Sequence, residues 1–258
     1  MTRPLLIIIA LGFVTSLVCF SMASAMGGMN FRHWDWDRYD NDDSSASDGP
    51  DVTRTIAWTG DDELTVNLLA DIEYTQGTDA KILVTGPKGA VDRVVLRGDR
   101  LEYTRRVHNG PRLKVVMTAP AVSDFTLNGS QRLNITGFDR SKLEVAIHGS
   151  GKVKAAGRAN RMEVHIAGSG DADFGQLKTT DAEVDIAGSG DTIIAATGDA
   201  EINIAGSGDV TLATRPARVN THIAGSGRII QQDPAAAAPA APATPAPPAA
   251  QAKPADKV

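Results

Sequence analysis

The chain has 258 residues, a formal charge of -5 and 5% aromatic side chains. The mild acidity argues against a nucleic-acid partner, which is held through basic patches. One cysteine, Cys19, leaves no disulfide framework and no thiolate metal site.

The first 25 residues, MTRPLLIIIALGFVTSLVCFSMASA, join Arg3 to an apolar run and a small-x-small ending. That order predicts a secretory signal peptide cut after Ala25, so membrane contact is expected only through this removed segment. Val18 stands where a lipoprotein site wants a small residue, so Cys19 is expected to leave with the leader. Residues 26–52 are rich in Asp, Ser and Gly and read as a disordered acidic linker. Phe31, Trp34, Trp36 and Tyr39 are unusual in a spacer and form a candidate docking motif.

From Thr53 to Gln232 the sequence reads as one ordered β domain. Runs such as TRTIAW, AKILVTG and RLKVVMTAP alternate apolar with polar residues between Gly, Pro and Asp boundaries. No stretch carries a helical period. Residues 233–258 are Pro/Ala-rich and predict an extended tail without a core.

The second part of the domain repeats one phrase, "IAGSGD", with variations. Its turn begins at Gly149, Gly168, Gly188, Gly206 and Gly225, and a degenerate copy, LNGSQ, begins at Gly129. A period near nineteen residues predicts a solenoid. Two residues before each glycine stand Leu127, Ile147, Ile166, Ile186, Ile204 and Ile223; apolar residues also dominate four and six before. That is period two, a strand with one buried face. After the turn, Val153, Phe174, Ile194 and Leu212 resume the inward pattern. Each coil then comprises two strands about a Gly-Ser-Gly corner, closed by a loop such as GRANR. Parallel crossovers are right-handed by a general rule, so the expected fold is all-β, a right-handed parallel β-helix with coils of about nineteen residues. Six serines stack at the corner, and a nucleophile needs one special neighbourhood, so no catalytic residue is expected there.

Two charged ladders follow from the register. Asp171, Asp191 and Asp209 stand three residues after the first glycine, between Lys152 and Arg228. Unit charges about 4.8 Å apart in water repel by about 0.9 kcal/mol. One buried Ile per coil returns about 1.5–3 kcal/mol, so the stack tolerates the aspartates without a metal. Loose cation binding is the alternative. The outward face carries Glu144, Glu163, Glu183 and Glu201 in one row, with Asp181 and Asp199 beside them. His165 and Asp185 lie in the next row and form a candidate metal pair. The six carboxylates are candidates for a binding face toward a cationic or glycan partner. Paired carboxylates also act on glycosidic bonds, which gives a second reading, a carbohydrate-active β-helix enzyme. No cofactor is expected. Arg228, Gln231, Gln232 and Pro234 near the last coil resemble guards against edge pairing and favour a monomer.

At DIEYTQG, PAVSDFTLNGSQRLNITGF and the runs of IAGSGD, the chain resembles the putative auto-transporter adhesin, head GIN domain family. The resemblance runs from about Thr53 to Ile230. It implies a secreted β-solenoid of the bacterial envelope or surface, with no catalytic residues to carry over. A self-sufficient autotransporter ends in a membrane barrel, whereas this chain ends in a Pro/Ala tail, so export through its own barrel is not expected. The resulting expectation is an exported, non-enzymatic scaffold or adhesin-like binder. Its place would be the periplasm, the outer membrane or the cell surface, and its partner an envelope component, glycan or protein.

Overall fold

A computed structural model describes residues 49–232 except 106, 108 and 109. The expected signal peptide, most of the acidic linker with its aromatics, and the Pro/Ala tail lie outside these residues.

The described residues are nearly all-β, with a β-solenoid of about five turns. Three long strands form its middle: β9 (Arg132–Gly149), β10 (Lys152–Gly168) and β11 (Asp171–Gly188). Shorter strands continue it: β12 (Thr192–Ile194), β13 (Asp199–Gly206), β14 (Val210–Leu212), β15 (Arg218–Gly225) and β16 (Ile229–Gln231). All pair in parallel, and the repeat sets the register. Ile147 lies against Ile166, Ile166 against Ile186, Ile186 against Ile204 and Ile204 against Ile223. The glycine turns stack likewise, Gly149 on Gly168 through to Gly206 on Gly225.

The inward rows are buried as the period requires. Val145, Val164, Val184 and Ile202 are fully enclosed, as are Ile194 and Phe174 after the corner. No coil could bury these alone; each covers its neighbour. The expected closing loops are instead a third run of strand. Gly157–Ala159 pairs with Phe138–Arg140 on one side and with Leu177–Thr179 on the other. Phe138, Ala159 and Leu177 fill the core from that side. The polar residues of GRANR hid this side, because only one of its residues turns inward.

The corners need glycine for two reasons. Gly188 has φ +140°, and a Cβ there would lie 2.0 Å from the carbonyl oxygen of Gly168. The second glycine, Gly190, carries no such φ but would meet the Gly170 carbonyl at 2.0 Å and Ile166 Cγ2 at 3.0 Å. The turn of one coil therefore rests on backbone of the coil below, and each buried Ile packs under the next glycine.

The first part of the domain departs from chain order. Its elements are β1 (Asp51–Ile56), β2 (Glu63–Val66), β3 (Ala70–Gln76), β4 (Lys81–Pro87), α1 (Lys88–Val91), β5 (Val94–Arg97), β6 (Arg100–Tyr103), β7 (Leu113–Ala119) and β8 (Asp124–Gly129). β1 begins two residues inside the expected linker. β2 lies between β6 and β8, and β3 between β7 and β9, all in parallel. The coil made of β2 and β3 thus sits above the later β6–β7 coil. β1, β4 and β7 pair antiparallel and close this end, and the one-turn helix α1 buries Ala90 and Val91 there. The helix is a single turn, too short to print a 3.6-residue period.

The degenerate copy LNGSQ also gains a reason. Gln131 replaces the second glycine, is 2% exposed, and donates through Nε2 to the carbonyls of Val66, Leu68 and Asn128. No glycine turn lies beneath this coil, so a side chain fits and satisfies backbone that lacks a ladder partner. Nearby, Tyr74 stacks edge-on to Phe125 at 5.1 Å and donates its hydroxyl to Ala119. Burial pushes its phenol up to about 12.

Candidate functional site

The outward face of β9, β10, β11, β13 and β15 collects the predicted binding residues. Because the strands are parallel and in register, each outward row takes one residue from each coil. Glu144, Glu163, Glu183 and Glu201 lie side by side, as expected. They are not a free acidic surface. Lys142 Nζ lies 2.8 Å from Glu144 and 2.7 Å from Glu163. Arg161 holds Glu163 and Glu183 at 2.7 Å each. Asp199 is gripped by both arms of Arg218, and Asp181 accepts the backbone N–H of Asp199. The cations reach across coils, so the acidic middle and basic margins of the sequence become an interleaved ladder. Glu201 is exposed.

The charges respond accordingly. Hydrogen bonding from Lys142 holds the Glu163 carboxyl below its ordinary value, against a smaller push from desolvation. Arg218 does the same for Asp199, and Arg228 for Asp209. Burial raises Asp124 instead, helped by its neighbour Glu144. A carboxylate lowered in the folded state adds stability above its unfolded pKa, which is lost as pH falls through the folded value. Asp124 has the opposite sign. Three lowered groups against one raised predict that the melting temperature holds from neutral pH to about pH 5 and then falls. A titration of Tm should show this fall, and Asp209→Asn should shrink it. These pairs are exposed, so added salt should shrink it as well.

The aspartate ladder has a structural use. Asp171 accepts the N–H of Asp191 at 3.4 Å, Asp191 that of Asp209 at 3.0 Å, and Asp209 that of Arg228 at 3.0 Å. Each carboxylate satisfies the backbone of the following coil where the chain turns. Lys152 pairs with Asp171, and Arg228 with Asp209, at the two ends. The carboxylate oxygens that a bound cation would need are largely engaged.

His165 and Asp185 do meet. His165 Nδ1 lies 3.1 Å from one Asp185 oxygen, and Asn203 donates to the other at 2.9 Å. A second grouping brings ligand atoms of Glu144, Glu163 and His165 within 4.8 Å of one another. Lys142 bridges its two carboxylates, and its ammonium supplies the positive charge that such a group seeks.

Beside this row lies a trough, built on the alanine that usually precedes the turn and on its replacement, His148. In four of the five full copies the residue before the turn is alanine, and Ala167, Ala187, Ala205 and Ala224 form an exposed stripe. It floors this trough of about 450 Å³, walled by His165, Asp185, Asn203 and His222. His148 stands in register with Ala167 and closes one end. The signal was present in the repeated alanine and in its single replacement by His148.

Residues 62–216 match the family described as Putative auto-transporter adhesin, head GIN domain. The chain belongs to this family. Among solved structures, a putative adhesin from Bacteroides fragilis is 20% identical, covers 72% of this chain and 99% of its own, and superposes with a TM-score of 0.57. It shares the fold. A putative lipid binding protein from Parabacteroides distasonis is 22% identical over 72% of this chain and 98% of its own. Its TM-score of 0.45 is too low to bear on the present chain. No match was found among the curated proteins. The GIN-domain family and its fold are thus those expected from the IAGSGD runs.

Proposed function

We propose that this GIN-domain chain is an exported, non-enzymatic β-solenoid that acts at the bacterial envelope or surface as an adhesin-like binding module. The observation that carries the reading is the engagement of the outward carboxylates. A glycoside-cleaving pair needs one carboxyl with a raised pKa to act as acid. Glu163 is lowered by Lys142, and Glu183 is tied to Arg161; the raised carboxyl, Asp124, lies beside Glu144, which Lys142 already holds at 2.8 Å. The face instead presents a stiff ladder with one open trough, and a rigid surface gives up little entropy when it binds. Family membership supports the same reading, as does the leader-like start of the chain.

Two measurements test it together. Protease should cut the tail on intact cells if the domain is displayed outside, and only after the outer membrane is opened if it is periplasmic. Protection in both states would reject export. Purified chain should bind cell-envelope fractions, and Ala205→Trp, which fills the trough, should remove that binding. Asp181→Asn and Glu183→Gln should each weaken it only slightly. Hydrolysis of an envelope glycan, abolished by either carboxylate change, would establish the enzyme instead.

A further inference from the structure

Among the described residues the exposed large apolar side chains are Val219, Ile223 and Ile230, at 41%, 40% and 43%. All belong to the last coil. Val219 and Ile223 occupy inward positions, in register with the buried Ala200 and Ile204. They are open because, among the described residues, β15 has a strand on one side alone. β16 likewise pairs only with β14. The opposite end is closed by β1, β4, β7 and α1. A solenoid requires a cap at each end, and at this end the described residues supply none.

We propose that the open end is closed by the same end of a second copy, giving a twofold dimer. Antiparallel pairing of β15 centred on Thr221 sets Val219 opposite Ile223 of the second copy, and Thr221 opposite its own counterpart. Both pairs then continue the inward face, which is the only parity that keeps the apolar residues inside. Asn220 falls opposite His222, and Arg218 opposite the small Ala224. The charges permit this approach. Arg218 and Arg228 are already paired with Asp199 and Asp209 of their own chain, so two identical ends meet without unpaired cations.

Other occupants fit less well. The 26 residues after Gln232 carry seven prolines, each lacking the N–H that a strand added to β15 must donate. Gln231 and Arg228, expected from the sequence to guard the edge, turn back instead. Gln231 donates to the carbonyls of Leu212 and Thr214, and Arg228 holds Asp209. They tie the last coil to the one before, and no described residue pairs with its outer edge. Twofold pairing consumes that edge on both copies, so the assembly closes rather than growing into a filament.

Sedimentation of the full chain should show a dimer. Val219→Asp and Ile223→Asp should each weaken it roughly tenfold or more, while the melting of the monomer falls far less than in Ile186→Asp, because these positions are 41% and 40% exposed against 2%. In a Cys19→Ser background, Thr221→Cys should yield a disulfide-linked dimer, since the twofold brings the two Cβ atoms within bridging reach. Ser226→Cys, away from the centre, should not. A full chain that stays monomeric across the micromolar range, or a dimer indifferent to both aspartates, overturns the proposal. A monomer whose tail is cleaved faster by protease in Ile223→Asp would assign the open end to residues 233–258 and overturn it equally.

Discussion

Ile186→Asp should abolish folding. Ile186 is 2% exposed and lies between Ile166 and Ile204 in the central apolar column. Its burial contributes about 1.5–3 kcal/mol. An unpaired carboxylate in the same place costs several kcal/mol more, whether it stays ionised or is forced to protonate. Domain stabilities are about 5–15 kcal/mol, so the sum consumes most of the reserve. Its methyl Cγ2 also supports the next corner, because a Cβ at Gly208 would touch it at 3.1 Å. Circular dichroism and a thermal melt would read the result. A cooperative transition at the wild-type temperature would contradict the buried column. Ile186→Val is the control and should cost only about 0.5–1.5 kcal/mol.

Gly188→Val should be nearly as severe, for a different reason. The φ of +140° disfavours any side chain, and the new Cβ would overlap the Gly168 carbonyl at 2.0 Å. That carbonyl accepts the N–H of Ser189, so it cannot retreat without breaking the ladder between coils. Strain and overpacking each cost about 1–3 kcal/mol. Gly98 provides the comparison. It has φ +62° with nothing within 4 Å of a Cβ, so Gly98→Ala should cost about 1–2 kcal/mol from backbone strain alone. Equal losses at both positions in urea melts would show that the stacking of the corner adds nothing.

The repeat made the solenoid readable because each coil restates the same constraint. Ile at minus two, alanine at minus one and glycine at the turn each align with a copy of themselves. The first part of the domain offers no such redundancy. β2 and β3 have good strand patterns, but nothing in ADIEYTQ tells that its neighbours will be LKVVMTA and RLNIT. Pairing between strands remote in sequence is a property of the whole chain. The open end escaped for the reverse reason. RVNTHIAG has nearly the same pattern as DAEINIAG, yet among the described residues only the latter has a strand on both sides, and a local pattern does not register how many neighbours a strand has. The charged face was half readable. The rows were evident from spacing, whereas the reach of Lys142 and Arg161 into adjacent coils depends on long side chains whose direction no periodicity encodes.

The in-register ladders have a mechanical corollary. Hydrogen bonds between coils run along the stack, whereas the covalent backbone runs around it. A pull across the stack loads backbone and many ladders together. A pull through the residues beyond Gln232 acts first on β16, which is held to β14 over three residues, and then on the next coil. Such a load opens the domain like a zipper, one rung after another, each at modest force. The central coils joined by β9, β10 and β11, with fifteen registered pairs at each junction, would give way last. A binding module anchored from that side would therefore yield by lengthening, and the part of its trough nearest His148 would keep its shape longest.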